Sequence, residues 1–227
     1  MFADRTDAGR RLAARLGHLS GQDPVVLALP RGGVPVAFEV ARALHAPLDV
    51  LLVRKIGAPA HPELAAGAVV DGSEPVLVRN EEVIRGYDLD EAWLRAEVQR
   101  ELVEIERRRR LYCGDRPPVP LRGRTVVLVD DGIATGTTVR AALRALARQG
   151  PRRRILAVPV APPETLAELA REAEECLALE QPEWLGAVGQ VYRDFTQTPD
   201  AEVVRLLEGA HRLQARSGSR TTRSLKD

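Results

Sequence analysis

Residues 126–129, VVLV, are apolar on both faces and run directly into two adjacent aspartates, Asp130 and Asp131. A strand with no polar face must be covered on both sides, as in the interior of a parallel sheet. Parallel neighbours need crossover helices between them, and the chain supplies them. PVVLALP (24–30) is a second short apolar run closed by a turn, and VPVAFEVARALHA (34–46) follows with Val34, Phe38, Ala41 and Leu44 on one helical face. LDVLLVRKI (48–56) reads as a buried strand, TVRAALRALARQG (138–150) as a helix stopped by Gly150-Pro151, RILAVPVA (154–161) as a strand and PETLAELAREAEE (163–175) as a helix. The predicted fold class is α/β, a mostly parallel sheet flanked by helices.

Residues 56–113 interrupt the alternation. ELAAGAVVDGSEPVLV (63–78) reads as a hairpin with Asp71-Gly72 in its turn, and 90–111 carry Leu94, Val98, Leu102 and Ile105 at helical spacing. The RRRR at 107–110 falls in that helix's last turn, where cations suit the macrodipole, and reads as a solvated helix end. Residues 177–199 have no clear period and hold Trp184, Tyr192 and Phe195. A short helix is expected at 200–212, and the polar, basic residues 214–227 are expected to be a disordered tail.

A chain of 227 residues suits one domain, placed at 1–213. The net charge of +1 gives no reason to expect a nucleic-acid or membrane partner, and no window approaches 18 apolar residues. The N-terminus lacks the apolar core of a signal peptide, so a cytoplasmic location is expected. Cys113 and Cys176 lack metal-ligand spacing, and two free thiols are expected over one disulfide. Of 33 basic residues only Lys55 and Lys226 are lysine, which sets Lys55 apart inside the chain.

In a parallel sheet ligands collect at the carboxyl ends of strands, so VVLV delivers Asp130 and Asp131 to that edge. Two adjacent carboxylates repel unless sugar hydroxyls, a Mg²⁺ ion or both relieve them. The following ATGTT (134–138) opens a helix, and its backbone N–H groups, hydroxyls and positive helix end form an anion site. Carboxylates for hydroxyls beside a cradle for phosphate describe a sugar-phosphate site.

VVLVDDGIATGTT resembles the thirteen-residue signature of type I phosphoribosyltransferases, with Gly132 standing where that family usually has an aliphatic residue. The resemblance spans about residues 20–165 and implies a fold with a small hood, here 1–20 and 179–199, and a long helical insertion at 56–113. It implies that Asp130 and Asp131 bind the ribose hydroxyls of phosphoribosyl pyrophosphate, with Mg²⁺ met mostly indirectly. Ala134, Thr135, Gly136, Thr137 and Thr138 would then hold the 5′-phosphate. LPRGGVPVA (29–37) resembles the family's pyrophosphate loop, with Arg31, Gly32 and Gly33 as ligands, and LLVRKIGAP (51–59) places Arg54 and Lys55 where relatives carry a basic residue for pyrophosphate. Lys55 is the candidate catalytic cation, and a rim salt bridge is the alternative for Arg54.

The implied reaction transfers a phosphoribosyl group to a nitrogen acceptor, with Mg²⁺ as cofactor and part of 56–90 closing over the site. Enzymes for 6-oxopurines usually have an aspartate where this chain has Ala134 and a lysine on the next strand, which VPVAPP (158–163) lacks. The acceptor is therefore an unassigned nucleobase, with Trp184, Tyr192 and Phe195 as stacking candidates. A second copy of the chain is admitted as a partner. A non-catalytic sensor of phosphoribosyl pyrophosphate is the alternative function. An unrelated nucleotide-binding fold would need a G-x-G-x-x-G or G-K-[ST] motif that the sequence does not contain.

Overall fold

The computed structural model describes residues 1–72 and 75–221. Strands β1 (Pro24–Ala28), β2 (Leu48–Val50), β6 (Thr125–Val129), β7 (Arg153–Val160) and β8 (Glu175–Glu180) form a parallel sheet in the order β2-β1-β6-β7-β8. Strands β3 (Val53–Ala58), β4 (His61–Val70) and β5 (Val76–Arg79) form a separate antiparallel sheet. The helices are α1 (Arg5–Arg15), α2 (Gly33–Leu44), α3 (Glu81–Gly86), α4 (Glu91–Cys113), α5 (Thr137–Arg148), α6 (Pro163–Leu169) and α7 (Asp200–Thr221). None of the described helices is long and apolar enough to cross a membrane.

Every residue of β1 and β6 is buried, as unbroken apolar strands require. Val26, Ala28, Val127 and Val129 face one core with α1, α2 and α7, while Val25, Leu27, Val126 and Leu128 face a second core with Val139, Leu143 and Leu146 of α5. Each valine or leucine among them contributes about 1.5–3 kcal/mol on burial, so the two faces hold β1 and β6 firmly. Both strands carry the candidate site at their carboxyl ends.

Several elements differ from expectation. The run 48–56 is two strands in two sheets: the chain leaves the parallel sheet at Leu51–Leu52, both buried, and enters the antiparallel one at Val53. Helix α6 stops at Leu169, and β8 forms a half-buried edge where Glu175 reads as the helix end and 177–180 as irregular chain. Helix α7 continues past 212 to Thr221; the last part of the expected tail, 222–227, lies outside the described residues.

One arginine ties the insertion to three acceptors of the chain around β2 and β4. Arg109 Nη2 donates to Asp49 Oδ2 at 2.8 Å, and Nη1 donates to Asp71 Oδ2 and the Val50 carbonyl, each at 3.1 Å. Asp71, 3% exposed, also accepts from Leu52 N at 2.6 Å. The RRRR run is therefore only partly a solvated helix end: Arg107 and Arg108 pair with Glu104 and Arg110 with Glu106, but Arg109 is turned inward. Burial decides this, because Asp49 and Asp71 need a cation once desolvated.

Candidate functional site

From β1 the chain returns to β2 on one side of the sheet, and from β6 it goes to β7 on the other. Helices α2 and α5 cover opposite faces, which leaves a crevice outside the carboxyl ends of β1 and β6. Leu29 N donates to the Val129 carbonyl at 2.9 Å, carrying the pairing up to the base of the acidic pair. The turn 30–33, with a cis Pro30–Arg31 bond, therefore lies directly against Asp130 and Asp131. A β-carbon on Gly32 would stand 1.9 Å from Asp131 Oδ2, and one on Gly33 would stand 2.8 Å from the Val129 carbonyl oxygen. The glycines are there because nothing larger fits.

The acidic pair is unfavourably charged by its setting. Burial pushes the Asp130 carboxyl well above its ordinary range, and the Asp131 charge adds to that; burial also raises Asp131, opposed by Arg5. Asp130 Oδ1 accepts from Asp131 N at 2.9 Å, and Arg5 Nε donates to Asp131 Oδ2 at 2.8 Å. Among the described residues no three His, Cys, Asp or Glu side chains converge on a point. Two adjacent carboxylates, one already partnered, suit a hydrated Mg²⁺ shared with a ligand's oxygens better than a cation enclosed by protein.

After the acids the loop is pinned from behind. Ile133 N donates to the Val160 carbonyl at 2.8 Å, and Thr165 Oγ1 donates to the Ala134 carbonyl at 3.1 Å. Gly136 precedes α5 at φ 71° and no side chain caps the helix, so first-turn N–H groups, those of Thr137 and Thr138 among them, have no intrahelical acceptor. Thr135 and Thr137 are exposed and Thr138 is half-buried. Ala134, Thr135, Gly136, Thr137 and Thr138 thus present an uncapped helix start beside the carboxylates, a setting that suits an anion. Gly132, at φ 156°, has no room for a β-carbon: it would meet Val188 Cγ1 at 2.5 Å and Val160 Cγ1 at 2.7 Å.

The remaining candidates separate. Arg31 Nη1 is 3.8 Å from Asp200 Oδ1 at the start of α7, and that oxygen also accepts from Tyr112 Oη at 2.6 Å. Lys55 lies on β3 opposite Ala68 and lines a cleft of ≈ 350 Å³ with Thr137, Arg140 and Arg144 of α5. It therefore flanks the first turn of α5. Arg54 instead pairs with Glu101 of α4 at 2.7 Å.

Two distant segments build the hood. Phe2 N donates to the Val191 carbonyl at 2.7 Å and Arg193 N to the Phe2 carbonyl at 2.9 Å. Tyr192 is buried, with its ring centroid 5.4 Å from Phe2 and 5.0 Å from Phe195, and its hydroxyl donates to the Asp131 carbonyl at 2.6 Å. Its role here is packing and support. Phe195 carries the Arg5 guanidinium carbon over its ring, 3.9 Å from the centroid, and Trp184 is 78% exposed. Arg5 is the site residue that sequence reasoning missed. It lies 126 positions from its carboxylate, in a chain rich in arginine, and no local pattern marks it.

A phosphoribosyl transferase domain model matches residues 4–196. A protein of Mycobacterium tuberculosis strain H37Rv named "Putative phosphoribosyl transferase" is 51% identical over 219 residues, covering 96% of this chain and 49% of that one. Its counterpart in strain CDC 1551 matches equally. The chain thus spans about half the length of the curated relatives it matches. The crystal structure of TT1426 from Thermus thermophilus superposes with a TM-score of 0.77 at 47% identity, covering 91% of this chain and 97% of that one.

Proposed function

The chain belongs to the phosphoribosyl transferase domain family, and from that premise we propose that it transfers a ribose 5-phosphate group from phosphoribosyl pyrophosphate to a nitrogen acceptor of nucleobase type, releasing pyrophosphate. One observation carries this reading. Two carboxylates, an uncapped helix start and a glycine turn meet in a single crevice, between the ends of β1 and β6.

In this reading Asp130 and Asp131 accept hydrogen bonds from the ribose hydroxyls, and the N–H groups of 134–138 hold the 5′-phosphate. Arg31 and the backbone of Gly32 and Gly33 receive the pyrophosphate, and Lys55 adds a cation from the α5 side. As the C1–O bond breaks and the C1–N bond forms, the sugar gains positive charge and the leaving group negative charge, so preplaced ions of both signs lower the barrier. A Mg²⁺ ion on the donor's oxygens, met by Asp130 and Asp131 through water or hydroxyls, would supply Lewis-acid stabilisation of the leaving group. Part of 56–90, which holds β4 and β5, is the segment proposed to shield the crevice from water. Trp184, 78% exposed, is the residue proposed to stack on the acceptor, since Arg5 and Tyr192 already lie against the Phe195 ring.

Incubating the protein with donor, Mg²⁺ and a panel of purine and pyrimidine bases tests the reading through acceptor-dependent pyrophosphate release. Donor binding by calorimetry without release for any acceptor would replace catalysis with sensing. Absence of donor binding would remove both.

A further inference from the structure

Arg5 joins the hood to the acidic pair through three separate contacts. Nε donates to Asp131 Oδ2 at 2.8 Å, Nη1 donates to the Thr196 carbonyl at 2.7 Å, and the guanidinium carbon lies over the Phe195 ring, 3.9 Å from its centroid. Neither partner of the ion pair is solvated: the Arg5 and Asp131 side chains are 11% and 14% exposed. The receiving turn is itself fixed, since Thr196 N and Oγ1 donate to Asp194 Oδ1 at 2.9 and 2.7 Å. From the other side, Tyr192 Oη holds the Asp131 carbonyl.

The contact is one-sided. Arg5 engages Oδ2, the same oxygen that lies against Gly32, while the Asp130 carboxyl and the Asp131 backbone N–H are the other polar groups beside this carboxylate. A carboxylate gripped by one oxygen between a backbone and a guanidinium cannot rotate, so the other oxygen keeps a constant direction. Preorganising an acceptor in this way favours a ligand hydroxyl without a reorganisation cost at binding.

Resting on the proposed donor site, we infer that Arg5 is a positioning residue that fixes the Asp131 carboxylate for the sugar hydroxyls and locks the hood across it. Its N-terminal position thereby links the acceptor side of the crevice to recognition of the donor's ribose. Competition, in which Arg5 must leave before ribose binds, predicts the opposite sign in the test below.

With Asp131 as the partner of the sugar's 2-hydroxyl, the test compares ribose 5-phosphate with 2-deoxyribose 5-phosphate by calorimetry, because the pair differs by that one hydroxyl and shares the phosphate anchor. The wild-type chain should prefer the ribose compound. Arg5→Met should cut that preference about tenfold, the scale of one hydrogen bond to a charged group, while 2-deoxyribose 5-phosphate binds nearly as before. Arg5→Lys should restore part of it, having the charge but not the fork. Phe195→Leu, which keeps Arg5 but removes its platform, should act in the same direction and serves if Arg5→Met does not fold. Equal weakening of both sugars would make Arg5 merely structural and overturn the inference, as would tighter ribose binding in Arg5→Met. A wild-type chain that binds neither compound, or does not distinguish them, would overturn the donor-site reading and this inference together.

Discussion

Gly32 lies so close to Asp131 that a β-carbon would overlap its carboxylate, at 1.9 Å from Oδ2 and 2.6 Å from Cγ. The turn after β1 and the acids after β6 therefore share one small volume. Gly32→Ala must push Asp131 off Arg5 or move the turn. Donor affinity should fall at least about tenfold, and stability should fall by about 1–3 kcal/mol, the usual cost of overpacking. Calorimetry and denaturant unfolding read the two effects. Wild-type affinity in this variant would show that the turn and the carboxylate are independent.

Replacing Asp130 and Asp131 together with asparagine should abolish turnover, by about a thousandfold or more, while the chain stays folded. Both carboxyls are raised above their ordinary range by burial, so the ionised pair is a burden on the fold rather than a support. Thermal unfolding should move little or upward. A marked drop in melting temperature would place the pair on the structural side.

The Arg109 clamp predicts a pH-dependent loss. Burial raises Asp71 from 3.8 to about 6, with Arg109 the main opposing influence. Because the folded value lies above the unfolded one, this group's contribution is fullest below pH 3.8 and is lost as pH rises towards 6. Arg109→Met leaves Asp49 and Asp71 buried without their cation, which should cost about 3–5 kcal/mol at pH 7.5. Protonation of Asp71 should relieve part of that near pH 5. Urea unfolding at the two pH values measures it, and an equal loss at both would remove Asp71 from the account.

Lys55 borders the first turn of α5, so Lys55→Ala should lower turnover by about one to three orders of magnitude, the scale of one transition-state contact. Donor affinity should weaken less, because Arg31 and the phosphate loop remain. Lys55→Arg should recover only part, since a planar fork does not copy a compact ammonium. Normal turnover with a slightly raised Michaelis constant would make Lys55 a rim charge.

The frame of this site was legible because both its strands are apolar without a break, and both end in residues that a strand cannot bury. Asp130, Asp131 and the turn at Gly32 could be placed from those ends alone. What stayed hidden depends on partners far along the chain. The split at Leu51–Leu52 left no mark, since either sheet buries leucine. Strand β8, ECLALE, has mostly half-buried residues and glutamates at both ends, so no period declared it. Arg5 and Arg109 look like any other arginine here, and only the carboxylates they meet distinguish them.

Gly132 has a bearing on how such chains can be recombined. Val188, from the hood, and Val160 of β7 together fill the space that a side chain at 132 would need. The hood is therefore not a detachable acceptor module that could be exchanged between relatives by swapping residues 179–199 alone. A graft bearing a smaller residue in place of Val188 would leave a void over the loop. A leucine or isoleucine set at 132 would collide with the resident hood. A larger residue at 132 should be tolerated only with matching changes at Val188 and Val160, made together.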